Sequence, residues 1–411
     1  MKYVFVIFYV LLLQMFAAAA TLHVGVGKPY ATIKKAIEAS KPGDVILIDS
    51  GRYAEGEIVI VKPLTLRGNN WPILDGRGKY QILCIRSNDV IVEGLQVENS
   101  GYSSTQDWGA IKVISSNNVI IKRNRLNNNT FGIYLQNCTN SQVLNNRVIG
   151  HTVDEVNSGN AIHCWKSDQL TIRNNYVSGH RDGIYFEFVT NSVIANNTSF
   201  RNLRYGIHFM FSNNDTYTKN TFRQNGAGVA VMFSKQVTMT ANHFEESWGS
   251  GAYGILMKEI SDGKVSNNVF LKNTIGIFME GTSRIQVTQN IFKNNGWAMR
   301  VQSSCVDNDI NHNNYIGNTF DVGSNGELQL NKFSDNYWDK YEGYDLDKNG
   351  IGDVQYQPVS LYSMIVEKIP AASLLLRSFM VTLMDRAERL LPGITPIQLK
   401  DDRPLMKPVT L

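Results

Sequence analysis

The sequence is short of proline, of cysteine and of charge, and each shortage narrows what the chain can be. Of 411 residues 10 are proline, and none falls between Pro72 and Pro358, so this whole span is free to donate its backbone N–H groups to hydrogen-bonded ladders. The four cysteines, Cys84, Cys138, Cys164 and Cys305, are widely spaced and form no CxxC pair. That pattern argues against a cysteine zinc site or a dithiol redox motif and points to buried free thiols. Charged residues make up 18% of the chain, the net charge is +4, and no block of Lys and Arg concentrates it. Nucleic-acid binding needs a basic face, so no nucleic acid is expected as a partner. No GxxxxGK[ST] stretch occurs, so any ATP-driven step belongs to another chain.

Apolar residues, by contrast, reach 43%, enough for a large core and incompatible with a disordered chain. Residues 1–20, "MKYVFVIFYVLLLQMFAAAA", combine Lys2, an apolar run from Val4 to Leu13 and a small-residue end before Thr21. This is the pattern of a secretory signal peptide, with an uncleaved anchor as the alternative.

The dominant signal is self-similarity. A glycine followed by an aliphatic residue recurs in "GIYL" at Gly132, "GIYFE" at Gly183, "GIHFM" at Gly206, "GVAVM" at Gly228, "GILMK" at Gly254 and "GIFME" at Gly276, and from Gly183 onward the spacing is 22 to 26 residues. Each landmark is followed by a short segment rich in Val, Ile and Thr that ends in asparagine, as in "DQLTIRNN" and "NSVIANN". These strands are too short and too close for intervening helices, so each unit is one coil of a solenoid. The expected fold is all-β, a right-handed parallel β-helix over residues 21–340, its hand set by the preference of parallel crossovers. Asparagines repeated at one bend are expected to stack from coil to coil. A helix over Ala31–Ser40, with Ile33, Ala36 and Ile37 on one side and Pro42-Gly43 beyond it, is placed to cap the N-terminal end.

Aligning the coils on their glycines assigns inward and outward positions, because successive strand residues face opposite sides. One outward column reads Tyr134, His163, Tyr185, His208, Ala230, Leu256, Phe278 and Arg300; the other reads Gln136, Trp165, Glu187, Met210, Met232, Lys258, Glu280 and Gln302. His208, Met210 and Met232 fall in adjoining rows, with His163 and Glu187 one or two coils away. Imidazole and thioether suit Cu(I), and an outward Met on a strand has no packing role unless something covers it. The expected site is soft, exposed and incompletely coordinated; the alternative is an apolar and aromatic strip covered by a partner protein. A carbohydrate-active enzyme, a lyase, epimerase or hydrolase, is a further alternative on this architecture. It would need grouped carboxylates, and only Asp182, Glu187 and Arg181 lie close together, with Asp107 in a longer loop.

Residues 341–357 form an acidic segment. Asp345, Asp347, Asn349 and Asp353, with Gly350 at the bend, have the spacing of a calcium loop, but Tyr356 stands where the bidentate Glu is expected. Structural calcium and an acidic turn held by Asx hydrogen bonds are both compatible with it. In the tail, residues 358–411, the stretch Pro370–Leu391 sets Leu375, Phe379, Met380, Leu383, Ala387 and Leu390 opposite Arg377, Asp385 and Glu388. That is an amphipathic helix suited to a membrane surface or a partner.

The signal peptide, the "GI-x-F" coils, "GHRDGIYFEF", "LRYGIHFMFSNND", "NYWDKYEGYDLDKNGIGDV" and the apolar C-terminal helix together resemble the NosD family, periplasmic accessory proteins for maturation of nitrous oxide reductase. The resemblance spans nearly the whole chain after the leader. It implies a non-enzymatic role beside the permease and ATPase of an ABC-type transporter. It further implies receipt of copper, as Cu(I), from a lipoprotein copper chaperone, and assembly of the copper centres of nitrous oxide reductase. The C-terminal helix would then contact the permease at the membrane surface, and the His and Met strip would engage copper or its carrier.

Overall fold

Short runs of β-branched residues in alternation with polar ones, uninterrupted by proline, wind the chain into a parallel β-helix. The computed structural model describes residues 19–410 apart from positions 157, 329, 377, 392, 394 and 397, so the leader lies outside the described residues. Three parallel sheets of 14, 12 and 13 strands run the length of the solenoid. Each complete coil gives one strand to each. The 12-stranded sheet takes the glycine-landmark strands, many of them six residues long, such as Tyr205–Met210; the other two take three-residue strands such as Thr216–Thr218 and Thr221–Arg223.

The landmark glycines are explained by the approach of the neighbouring coil. A Cβ at Gly206 would stand 2.6 Å from the carbonyl oxygen of Gly228 and 2.8 Å from the Phe222 ring; one at Gly254 would meet Gly276 O at 2.6 Å and the Phe270 ring at 2.7 Å. Inside, the inward column (Ile133, Ile162, Ile184, Ile207, Val229, Ile255, Ile277) is buried together with stacked rings from Phe222 through Phe244, Phe270, Phe292 and Tyr315 to Trp338. All four cysteines are buried and free.

At one bend Asn124, Asn146, Asn175, Asn197, Asn220, Asn242, Asn268, Asn290, Asn313 and Asn336 form an unbroken ladder, each Nδ2 donating to the next Oδ1 at 2.9–3.1 Å. These amides satisfy backbone groups that the turn leaves unpaired. The last of them, Asn336, donates to Asp401 of the C-terminal tail, which also accepts from Trp338 Nε1.

Both ends are closed. The helix Ile33–Ala39, capped by Thr32, buries Ile33, Ala36 and Ile37 over the N-terminal mouth. At the other end the expected single helix over Pro370–Leu391 is two pieces, a 3₁₀ turn Pro370–Leu375 and a helix Phe379–Leu390, preceded by a helix Leu361–Lys368 absent from the expectation. The interruption has a cause in the sequence, since Ser378 accepts from Val381 N and starts a new helix. Val381 packs with Phe320, Tyr362 and Val366, and Arg300 pairs with Glu367, which docks this cap on the last coils. Leu374, Leu375, Phe379, Met380, Leu383 and Leu390 stay exposed. Arg377 lies outside the described residues.

The acidic segment takes the Asx-turn form. Asp345 accepts from Asn349 N (3.1 Å) and Gly350 N (2.8 Å), Asp347 accepts from Asn349 Nδ2 (2.8 Å), Asn349 Oδ1 accepts from Ile351 N (2.8 Å), and Asp353 accepts from Leu346 N (2.7 Å). The oxygens expected for calcium are thus engaged by the loop's own N–H groups. The segment also holds the returning tail, through Gly352 N to Pro404 O and Met406 N to Gly350 O.

Candidate functional site

Strand pairing in the 12-stranded sheet places the two outward columns in the expected rows. His163 lies opposite Tyr134 and Tyr185, His208 opposite Tyr185 and Ala230, and Met210 opposite Glu187 and Met232. Large rings in neighbouring rows stack because the strands stand about 4.8 Å apart. Tyr134 and His163 stack at 4.4 Å between centroids, His163 and Tyr185 lie at 4.7 Å, and Tyr185 and His208 at 4.9 Å.

The expectation of an exposed site is corrected by this packing. His163 is 8% exposed and His208 6%. Tyr134 stacks on His163, Tyr185 lies against both histidines, and residues just before the landmark glycines cover them further: Phe131 sits 5.5 Å from His163, and Tyr205 4.8 Å from His208. Tyr185 and the second column, Glu187, Met210 and Met232, remain half-buried at the surface. Tyr185 O–H donates to Met210 Sδ at 3.8 Å, which holds that thioether beside the stack.

His163 and His208 are kept apart by the Tyr185 ring and lie two rows, or about 10 Å, from one another. They do not share a ligand point. Asn160 Nδ2 donates to His163 Nδ1 at 3.0 Å, and burial, helped by Arg181, pushes His163 down to about 3. His163 is therefore a neutral member of the stack. His208 differs: its Nε2 is buried without a partner among the described residues. His208, Met210 and Met232, with Glu187 in the adjoining row, are the subset that the fold brings together.

Beneath His208 lies an ion pair that the column alignment did not single out. Asp182, fully buried, is gripped by Arg204 through Nε to Oδ1 (3.1 Å) and Nη2 to Oδ2 (2.7 Å), and accepts from Tyr205 N (3.2 Å). Despite the burial, the Arg204 guanidinium, with His208 beside it, holds its carboxyl below the usual carboxylate range. The same grip removes Asp182 from use as a catalytic acid. Glu187, its expected companion, sits on the other outward column. Asp107 accepts from Tyr134 O–H at 3.3 Å. Among the described residues no three His, Cys, Asp or Glu side chains are grouped to hold a metal, which leaves thioethers to complete any ligand set.

Next to the methionines, Phe188, Phe211 and Phe233 form a ladder at the strand ends, with rings 5.1 and 5.2 Å apart. They are 38–45% exposed and have φ of +50 to +54°, a left-handed conformation unfavourable for bulky side chains. The other bend histidines do not enlarge the site. His180 is wholly buried and pushed down to about 4 by desolvation, and His151 lines a separate polar groove of about 710 Å³ with Asp75, Arg77, Asn99 and Asn128.

Comparison with known proteins gives two family matches. Residues 144–343 match the family described as periplasmic copper-binding protein (NosD), and residues 25–231 match rhamnogalacturonase A/epimerase, pectate lyase-like. The chain is 32% identical over 407 residues to a protein of Pseudomonas aeruginosa named probable ABC transporter binding protein NosD, covering 87% of each chain. It is 27% identical over 380 residues to a protein of the same name from Stutzerimonas stutzeri, covering 88% of this chain and 86% of that one. Among solved structures, the catalytic unit of an α-1,3-glucanase from Streptomyces thermodiastaticus superposes with a TM-score of 0.62 at 13% identity, over 79% of this chain and 69% of the other. That likeness concerns the fold alone.

Proposed function

Since this chain belongs to the NosD family, we propose that it is a periplasmic copper-binding and delivery subunit that works with an ABC transporter in maturing the copper sites of nitrous oxide reductase. The observation that carries the reading is the unpartnered Nε2 of His208, a residue on the same strand as Met210, which pairs with Met232 in the next row. A neutral imidazole nitrogen and two thioethers form a soft donor set that favours Cu(I), and having few ligands allows the ion to be passed on. Copper is the cargo here and not a resident cofactor. The exposed phenylalanine ladder gives a copper-carrying lipoprotein a surface to seat on within reach of the methionines. The exposed leucines of the C-terminal cap, Leu374 to Leu390, suit a permease at the membrane surface; no helix among the described residues is long and apolar enough to cross a membrane.

The test is an anaerobic Cu(I) titration of the chain without its leader, in competition with a chromophoric chelator. The wild type is expected to withdraw Cu(I) from the chelator, and the His208→Ala/Met210→Ala double variant to lose that capacity with its fold intact. Equal copper uptake by both proteins would sink the site.

A further inference from the structure

The immediate surroundings of His208 contain a contradiction for a metal ligand. A guanidinium has five N–H donors and no acceptor. Arg204 Nη2, besides its 2.7 Å bond to Asp182 Oδ2, lies 3.2 Å from His208 Nδ1. Nδ1 must then be the acceptor, and the neutral ring carries its hydrogen on Nε2. That N–H is the buried group without a partner. A metal needs the lone pair of Nε2, so in the arrangement observed that nitrogen is already occupied by hydrogen.

We propose that Arg204 is a positioning residue that latches His208 in the tautomer unable to bind metal, and that the site loads when Arg204 yields Asp182 to the imidazole. This deepens the copper reading and rests on it. The loaded state requires hydrogen on Nδ1, and the acceptor for it is already in place: Asp182 Oδ2 is 3.7 Å from Nδ1, too far for a bond while Arg204 occupies it. A carboxylate on the second nitrogen is the usual way a ligating imidazole is oriented and made more basic. The change is a tautomer exchange: one proton leaves Nε2, one is taken up at Nδ1, and the charge of the ring is the same before and after.

Two features let the latch open. The Arg204 side chain is 33% exposed, so it has a path to water. Arg181 Nε is 3.7 Å from Asp182 Oδ2 and has no hydrogen-bond partner among the described residues, so a second cation stands ready as Arg204 leaves. Asp182 therefore keeps a countercharge in both states, and a buried carboxylate is never left uncompensated.

The test is the ring tautomer of His208 in metal-free protein, read by ¹⁵N–¹H correlation on histidine-labelled chain and assigned from the signal lost in His208→Gln. Wild type is expected to show hydrogen on Nε2, and Arg204→Gln to move it to Nδ1. Cu(I) affinity in the chelator competition is expected to rise about tenfold in Arg204→Gln, the scale on which partners of metal-bound histidines act. Arg204→Lys retains a cation for Asp182 without the fork and serves if the glutamine variant does not fold. Hydrogen on Nδ1 in wild type overturns the latch, with no variant needed. So does unchanged Cu(I) affinity in folded Arg204 variants when His208→Ala weakens binding. Failure of the copper reading looks different: the tautomers behave as described, yet no protein takes Cu(I) from the chelator.

Discussion

Two halves of one sheet carry different chemistry on the same backbone. Upstream, the outward column of the 12-stranded sheet is Tyr134, His163, Tyr185 and His208; downstream it continues as Ala230, Leu256, Phe278 and Arg300, in unbroken register. The inward column and the glycine approach are alike in both. The comparison teaches that coil stacking depends on the inward column, which leaves the outward column free to differ, and that the donor set sits where the two halves meet.

The largest expected effects test the shared part. Gly206→Val and Gly254→Val each drive a branched side chain into the next coil's carbonyl, and each should cost about 3 kcal/mol or more in thermal unfolding. Similar losses upstream and downstream would support a common scaffold, and a loss confined to one half would break the comparison. Asp182→Ala, specific to the upstream half, strands Arg204 and should cost about 3 kcal/mol at pH 7, as when one member of a buried pair is removed.

The halves should also respond oppositely to pH. His163 and His180 are buried and depressed to about 3 and about 4 from an ordinary value of 6.5. The unfolded chain binds their protons first, so their contribution is present above pH 6.5 and is lost as pH falls toward 3 to 4. Asp321, in the last strand of the same sheet, is raised by burial from 3.8 to about 6. The folded state holds that proton more tightly, so its contribution is complete below 3.8 and is lost as pH rises through 6. Hydrogen exchange resolved by coil should show upstream protection declining on acidification from pH 6.5, and the His163→Phe variant should flatten that decline.

Met232→Leu preserves volume and should change stability by less than about 1.5 kcal/mol while weakening Cu(I) capture; unchanged capture removes Met232 from the site. The smallest effect is expected at Phe211→Asn. Its left-handed backbone suits Asn, so stability should stay within about 0.5 kcal/mol, and loss of binding to a copper-carrying lipoprotein in a pull-down would show that the strained ring serves contact rather than folding.

Much of this was legible in the sequence, because a solenoid repeats its constraints. Glycine spacing set the register, and the register placed His208, Met210 and Met232 in adjoining rows. The burial of His163 and His208 was not legible, since the covering rings and the guanidinium come from positions before the glycine, Phe131, Arg204 and Tyr205, that vary from coil to coil. Asp182 was visible as an acid, but its capture by Arg204 in the next coil requires coordinates. The calcium spacing was real in sequence, but whether its oxygens turn toward an ion or toward backbone N–H groups depends on loop torsions that spacing does not encode.

The asparagine ladder has a direction. Each amide receives at its oxygen and donates from its nitrogen, so every rung passes the same unmet demand forward, and stacking could continue from one molecule into another. Asp401 ends the series because a carboxylate accepts without donating in turn. The tail residue is thus a chain terminator in the polymer sense: with Asn336 and Trp338 satisfied from within, the C-terminal end of the solenoid offers no template for end-to-end growth.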